Sequence, residues 1–258
     1  MYKEYHISQT TKLLMNGNVV VENTVSQRWA VSYTPESHIL IEVLEFPKQE
    51  EDASIFQLLS IINMPACKVM FDFDNDDNLV VCNKAEIKRE WEKCKKEVRD
   101  TFGTDDSIEN FLTLTGDGYA YFDNEMKSSL LYYTLWTWFG GGKSFNIIPP
   151  SSLFMGRKVD VEVTRISKEL LSNDAFELVQ RGEGNVKDRN VEDEYNREVF
   201  PLTNSDAFNY QYHIETTYHC RDRKLTFFDS AQTVVHEQAS EGYSYITNIA
   251  FISEEGEV

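Results

Sequence analysis

Residues 5–29 read YHISQTTKLLMNGNVVVENTVSQRW, and this stretch decides the fold. Polar and apolar side chains alternate from Tyr5 to Met15, and residues 19–29 are rich in valine and other β-formers, so each half predicts a β-strand. Between the halves stands Asn16-Gly17-Asn18, and Asn-Gly readily adopts the positive φ angles of a tight turn. The chain is therefore predicted to begin with an antiparallel hairpin.

Further strands and helices follow in an order that predicts the fold class. Helices are predicted at 52–63, 83–98, 107–114 and 124–138. Strands are predicted at 38–46, 67–73, 79–82, 159–165, 175–180, 208–220, 225–228, 233–237 and 243–251. Strands, then helices, then strands indicate an α+β fold. We expect a strongly curved, mostly antiparallel sheet, a half-barrel, with helices packed on its concave side.

Local signals predict where several of these elements begin and end. Asn83, followed three residues later by Glu86, fits a capping box at the start of a helix. Asp117-Gly118 predicts a turn, and the glycines at 140–142 predict a helix end. Acidic, glycine-containing stretches at 182–193 and 253–258 predict a loop and a tail.

Length and composition predict a single domain over residues 1–258. Domains of this size bury a full core without disulfides or metals. Within it, we expect a helical insertion at about 84–140 and a β-rich C-terminal part at about 156–252. We find no internal repeat of fixed period.

The middle of the chain resembles a known family. The run Phe71-Asp-Phe73, Leu79-Val-Val81, Asn83 and Trp91 combines a hairpin with a following helix. A helical region then ends in Ile147-Ile-Pro-Pro150 and returns through Met155-Gly-Arg-Lys158. These features resemble bacterial half-barrel proteins of the lipoprotein-carrier type, over residues 5 to 165. The resemblance implies a cavity for a small hydrophobic ligand, although no lipid-attachment cysteine lies near the start.

The charge is strongly acidic, with 43 acidic and 25 basic residues and a formal net charge of -18. Residues 84–99 depart from this balance, because they hold seven basic and four acidic side chains. An acidic surface disfavours nucleic acid and anionic membranes as partners. It favours a basic protein instead, since opposite charge speeds and orients association.

The cysteines and the start of the chain predict the compartment. Cys67, Cys82, Cys94 and Cys220 are widely spread and lack zinc-site spacing, so we expect reduced core thiols. Residues 1–6 lead directly into a strand pattern and lack the apolar stretch of a secretory signal. A cytoplasmic location is therefore expected, although a chain trimmed of its leader would look the same.

Two loops resemble ligand-binding motifs but fail at defining positions. The run from Asp72 to Asn78 offers oxygens for calcium, yet Asp77 stands where an EF-hand has glycine and Asn83 where it has glutamate. Gly142-Lys143-Ser144 matches the end of a phosphate-binding loop, but Thr137 replaces its first glycine. We predict a hairpin turn at the first run and no cofactor at the second.

No motif predicts catalysis. His213, Glu215 and His219 share one face of a predicted strand, where alternate residues lie about 6.7 Å apart, which is too far for a metal site without help from elsewhere. His236 is a candidate for that help, but the sequence does not place it there. Nucleophile and zinc-hydrolase signatures are missing, so the sequence predicts no catalytic, cofactor-binding or metal-binding residues. A hydrolase assembled from distant segments stays open.

We expect a non-catalytic acidic binding protein, most simply an immunity-type inhibitor that neutralises a basic partner such as a toxin or effector domain. The alternative is a small hydrophobic-ligand carrier or sensor with a half-barrel cavity, in which Trp136, Trp138 and Phe139 either line the cavity or pack the core. The predicted partner-binding residues are the clustered carboxylates Glu50, Glu51, Asp52, Asp72, Asp74, Asp76, Asp77, Asp188, Glu192, Asp193 and Glu194.

Overall fold

A computed structural model of the chain describes residues 2–46, 53–75, 79–140, 144–155, 157–172, 175–186, 190–203, 207–221 and 226–254. The strands are β1 Tyr2–Met15, β2 Asn18–Tyr33, β3 Ile39–Glu45, β4 Lys68–Phe73, β5 Leu79–Val81, β6 Ser144–Ile147, β7 Val159–Ser172, β8 Ala175–Val186, β9 Gln211–Cys220, β10 Ser230–Ser240 and β11 Tyr243–Ser253. The α-helices are α1 Ala53–Asn63, α2 Lys84–Phe102, α3 Asp106–Ala120, α4 Phe122–Ser128, α5 Leu130–Phe139 and α6 Asn190–Glu198.

These strands form one antiparallel sheet in the order β5-β4-β3-β2-β1-β11-β10-β9-β8-β7-β6. The first and last strands of the chain are therefore neighbours at its centre. The α+β class and the antiparallel sheet are confirmed. Within the described ranges, every helix is too short or too polar to span a bilayer.

The chain folds into two compact units. The first contains residues 1–6, 26–126 and 254–258, and the second contains residues 7–25 and 127–253. Both units draw on separated stretches of the sequence, so neither boundary follows from a linker or a change in composition. The prediction of a single domain stays a prediction.

The first unit has a core between helices α1, α2 and α3. Ile87, Trp91, Cys94 and Val98 recur at intervals of four, three and four residues, and this stripe of α2 is buried, as helical periodicity predicts. Trp91, Cys94 and Val98 pack with Ile61, Ile62 and Leu112 in one cluster. Asp105 caps α3 by accepting a hydrogen bond from the Ile108 amide at 2.9 Å.

The second unit buries helix α5 among aromatic side chains of the sheet. Six consecutive α5 residues, 133–138, are buried. The Trp138 ring lies 5.3 Å from that of Tyr218 and 5.6 Å from that of Phe228. Trp136 lies 5.0 Å from Phe145. Trp136 and Trp138 therefore pack the core, which is one of the two roles expected for them.

The hairpin predicted at the start of the chain is confirmed. Asn16 and Gly17 have φ angles of 51° and 77°, the left-handed pair that a two-residue hairpin turn requires. Across the strands, Lys12 Nζ lies 2.9 Å from a Glu22 oxygen. The Thr10 and Thr24 hydroxyls are 3.0 Å apart.

The four cysteines carry free thiols, but only two of them are buried. Cys94 and Cys220 are core residues, whereas Cys67 is half-buried and Cys82 is exposed. The prediction of core thiols is therefore confirmed for the first two and wrong for Cys82, which lies directly after the short strand β5.

The predicted capping box at Asn83 is wrong. The Asn83 side chain makes no capping bond to α2. Its amide instead bridges to strand β4, where Oδ1 accepts from the Met70 amide and Nδ2 donates to the Lys68 carbonyl, both at 2.9 Å. Asn83 is buried, and a tertiary partner within reach competes successfully with the local cap.

The predicted loop at 182–193 is also wrong, because β8 extends to Val186 and α6 begins at Asn190. Gly182 and Gly184 are strand residues over which neighbouring side chains lean. A Cβ atom at Gly184 would lie 2.6 Å from Val161 Cγ2, and one at Gly182 would lie 2.8 Å from Ile214 Cγ2. These glycines serve close packing and not chain reversal.

Other element boundaries also differ from the prediction. The helix predicted at 124–138 is two helices, α4 and α5, separated by Ser129 in an extended conformation. Asp117-Gly118 lies inside α3 and not in a turn. Residues 226–228 are not a strand, although Phe227 and Phe228 are buried. The predicted hairpin β4–β5 is confirmed by pairing of Phe73 with Leu79.

Candidate functional site

The structure describes only part of the predicted acidic partner site. Of the eleven predicted carboxylates, six lie outside the described residues: Glu50, Glu51, Asp52, Asp76, Asp77 and Asp188. The other five fall in two places, at the end of β4 and on α6.

Asp72 and Asp74 lie at the end of β4. Asp72 is already engaged locally, since its Oδ2 lies 3.0 Å from His38 Nδ1 and its Oδ1 accepts the Phe73 amide at 2.8 Å. Asp74 is exposed. Asp72 therefore offers a partner less free charge than the sequence suggests.

Glu192, Asp193 and Glu194 lie in the first turns of α6. Glu192 and Asp193 are exposed, and acidic side chains near a helix N-terminus are favoured by the helix dipole. Glu194 pairs with Arg157 at 3.5 Å. The buried side chains Val191 and Tyr195 attach this helix to the core, whereas Glu192 and Asp193 point to solvent.

A third acidic surface, which the sequence does not predict, lies on the outward side of β7 and β8. Its carboxylates are Asp160, Glu162 and Glu183, and we call it the acidic sheet face. Glu162 and Glu183 are directly paired across the two strands. Together with Asn146, Gly184 and Asn185, the three carboxylates line an open depression of about 460 Å³ whose lining residues include no basic side chain.

Part of the signal for this face is present in the sequence. Asp160 and Glu162 stand two residues apart, and residues at i and i+2 of a strand point to the same side. Glu183, however, lies between Gly182 and Gly184, which favours a loop. The cross-strand pairing of Glu162 with Glu183 depends on register, and a single sequence does not reveal register.

Two exposed histidines of β9, His213 and His219, lie near carboxylates of β8. His213 Nδ1 is 3.9 Å from a Glu183 oxygen, and His219 Nδ1 is 3.6 Å from a Glu177 oxygen. His236 is paired directly with His213 across β9 and β10. Burial, and then the neighbouring His213, lower the pKa of His236. Among the described residues, no three His, Cys, Asp or Glu side chains converge as metal ligands.

The most buried carboxylate of this unit is Glu237, which is 1% exposed. It accepts hydrogen bonds from the Ser151 hydroxyl, from the Ser152 amide at 2.7 Å and from the Tyr210 hydroxyl at 2.9 Å. Burial raises the pKa of Glu237. The enclosed carboxylate thus anchors the turn at 151–154 to strand β10.

A layer of polar side chains lies between α5 and the sheet. The Thr233 hydroxyl lies 2.8 Å from that of Thr134 and 2.9 Å from that of Thr216. The Tyr218 hydroxyl donates to the Thr134 carbonyl at 2.9 Å. Gln180 pairs with Thr216 across the strands, but its side-chain amide has no hydrogen-bond partner among the described residues.

Comparisons with known proteins give one structural likeness. No protein-family model matches the sequence, and no curated protein matches it. The fold is similar to a solved structure of lipovitellin concerned with lipid–protein interactions, with a TM-score of 0.52 and 8% sequence identity. The match covers 98% of this chain and 25% of the lipovitellin chain. The chain thus spans a quarter of that protein, and the likeness concerns the fold alone.

Proposed function

We propose that this chain is a non-catalytic acidic binding protein, an immunity-type inhibitor that neutralises a basic partner such as a toxin domain. The observation that carries the proposal is the acidic sheet face. There, Glu162 and Glu183 are directly opposed on neighbouring strands, and no basic side chain is among the residues that line the depression they share with Asp160.

Like charges directly opposed across two strands are destabilising. The repulsion between these carboxylates is reduced when lysine or arginine side chains of a partner approach the same depression. With a net charge of -18, the whole chain also attracts a basic protein from a distance and raises its association rate. The exposed α6 carboxylates Glu192 and Asp193 add to the negative electrostatic potential that causes this attraction.

The test begins with affinity capture at low salt and identification of a basic partner that salt releases. With the purified partner, the association rate is then measured by biolayer interferometry between about 50 and about 500 mM NaCl. Because salt screens steering over about a Debye length, we expect the rate to fall by about tenfold or more. If the partner is toxic, coexpression of this chain should restore the growth of cells that produce the partner.

The site is tested with the double variant Glu162→Gln and Glu183→Gln. Its matched control is Glu36→Gln with Glu241→Gln, two exposed carboxylates whose removal changes the net charge equally. We expect the first pair to slow association and speed dissociation more than the control pair. A salt-independent association rate, or equal effects of the two pairs, would overturn the proposal.

The likeness to lipovitellin favours a second candidate, a small hydrophobic-ligand carrier. This function needs the strongly curved half-barrel, with helices on its concave side, that the sequence predicts. It also needs space, and the rings of α5 already pack against Tyr218 and Phe228. A carrier that holds its ligand under the sheet would have to displace α5, so a native mass spectrum with a bound neutral lipid would favour this candidate over the first.

A further inference from the structure

A groove between α2 and α3 in the first unit has the opposite character to the acidic sheet face. Its volume is about 450 Å³, which is within the range of pockets that hold small molecules. Four basic side chains of α2 and three acidic ones, Glu92, Glu109 and Asp117, line it, so the basic groups exceed the acidic ones by one. Its apolar lining consists of Trp91 and Leu112, which are 4% and 2% exposed, and of the more exposed Tyr119 and Ala120.

The basic side chains come from one face of α2. Lys84, Lys88, Lys95 and Arg99 recur at intervals of four, seven and four residues, which places them on the same side of a helix. They adjoin the buried stripe that contains Trp91. In a chain of net charge -18, a lining with one more basic than acidic side chain is a local exception that favours an anion over a cation.

Three of the four cations already have ion-pair partners, and one does not. Lys84 pairs with Asp123, and Lys95 pairs with Glu92 at 2.8 Å. Arg99 joins α2 to α3 through two bonds of 2.7 Å to Glu109. Lys88 lines the groove and is exposed, and in the described part of the chain it has no ion pair. Lys88 is thus available to an incoming anion.

The floor of the groove is fixed before any ligand arrives. Trp91 is 4% exposed, and its ring centroid lies 5.1 Å from that of Tyr119. Helix α3 approaches closely because Gly116 lacks a side chain, and a Cβ atom there would lie 2.9 Å from Trp91 Nε1. A preformed floor reduces the entropy that binding would otherwise lose.

We propose that this groove binds a small amphipathic anion, with one carboxylate or phosphate at Lys88 and an apolar body against Tyr119 and Ala120. A charge-assisted hydrogen bond to Lys88 orients the ligand, and burial of its apolar part supplies affinity. This site is separate from the acidic sheet face and does not rest on the proposed inhibitory function.

The test is isothermal titration calorimetry of the full chain with decanoate, decyl phosphate and neutral decanol, the two anions below their micelle concentrations and decanol below its solubility limit. We expect at least one anion to bind about tenfold more tightly than decanol, because only the anions pair with Lys88. Preference for decanoate or for decyl phosphate identifies the head group. Equal binding of decanol, or no binding of either anion, would overturn the proposal.

Two pairs of variants locate the site. Lys88→Glu should weaken anion binding about tenfold or more, whereas Lys96→Glu, an exposed lysine of the same helix outside the groove, should change it by less than about twofold. Thr113→Trp fills the groove without a change of charge, and Leu114→Trp places the same ring on an exposed position beside it.

We expect Thr113→Trp to abolish binding and Leu114→Trp to preserve it. Circular dichroism is used to check that each variant is folded. If the charge reversal in Lys88→Glu impairs folding, the two tryptophan variants still test the site. Equal effects within both pairs would show that the anions bind elsewhere and would contradict the proposal.

Discussion

Gln180 is fully buried at 0% exposure, and neither its Oε1 nor its Nε2 has a hydrogen-bond partner among the described residues. It belongs to the polar layer beneath α5, next to Thr216. A buried amide of this kind loses its bonds to water without replacement, which is unfavourable for folding. We therefore expect that the native residue at this position is not the most stable one.

Replacing this amide should stabilise the protein. We predict that Gln180→Met, which has a similar length and no strong polar group, raises the free energy of unfolding by about 1–3 kcal/mol. Urea denaturation followed by circular dichroism measures the change. The control Gln211→Met, at an exposed glutamine of neighbouring β9, should remain within about 0.5 kcal/mol of wild type. Destabilisation by Gln180→Met would contradict this view of the layer.

Individual residues also show where sequence reasoning ends. The stripe of α2 and the turn at Asn16-Gly17 are predictable, because periodicity and φ preference are local properties. The role of Asn83 cannot be predicted in this way, because only the fold brings its partners Met70 and Lys68 close to it. Two of the three donors to Glu237, Ser151 and Ser152, lie more than 80 residues away in sequence, and no local pattern points to them.

At the scale of elements, the type of most strands and helices is predictable, and the largest error arises at glycines. Gly182 and Gly184 suggest a loop, but they occupy the inward side of β8, where Val163, Val161 and Ile214 fill the space of a side chain. A glycine in a turn and a glycine under a neighbouring strand look identical in sequence. The same predicted loop conceals the start of helix α6.

The close packing over β8 leads to a second prediction. Gly184→Ala should lower the free energy of unfolding by about 1–3 kcal/mol, because its Cβ atom would lie 2.6 Å from Val161 Cγ2 and 2.9 Å from Val159 Cγ1. Chemical denaturation provides the measurement.

The matched control for Gly184 is Gly118→Ala in α3. There the nearest atom to the new Cβ is a Glu125 carbon at 3.6 Å, and alanine favours a helix by about 0.5–1 kcal/mol over glycine. The two substitutions should therefore have opposite signs. A neutral Gly184→Ala would show that the valines of β7 move aside readily, and that β8 is loosely packed.

At the scale of the whole molecule, the sign of the charge is predictable but its placement is not. The net charge of -18 follows from composition. Clusters of charged residues, however, can be recognised in the sequence only within short stretches of chain. The acidic sheet face instead combines β7 with β8, and the basic groove combines α2 with α3. Of the predicted partner-binding carboxylates that the structure describes, only Glu192, Asp193 and Asp74 are exposed to solvent.

The net charge has a consequence for stability that can be measured. Charges of one sign repel each other more strongly in the compact state than in the unfolded chain. We predict that raising NaCl from about 20 to about 200 mM increases the free energy of unfolding, on the order of 1 kcal/mol, since the Debye length shortens. Urea midpoints at fixed pH measure this, and a midpoint that falls with salt would contradict it.

The neighbouring positions of β1 and β11 bear on how the protein is made. The Glu254 amide donates to the Glu4 carbonyl at 3.0 Å, and the Asn16 amide donates to the Gly242 carbonyl at 2.8 Å. A ribosome releases β1 well before β11, so one edge of β1 stays open while the residues between them are made. Such long-range pairing is slow to form, and an open edge invites pairing with other chains. The nascent chain should therefore depend on chaperones until β11 emerges.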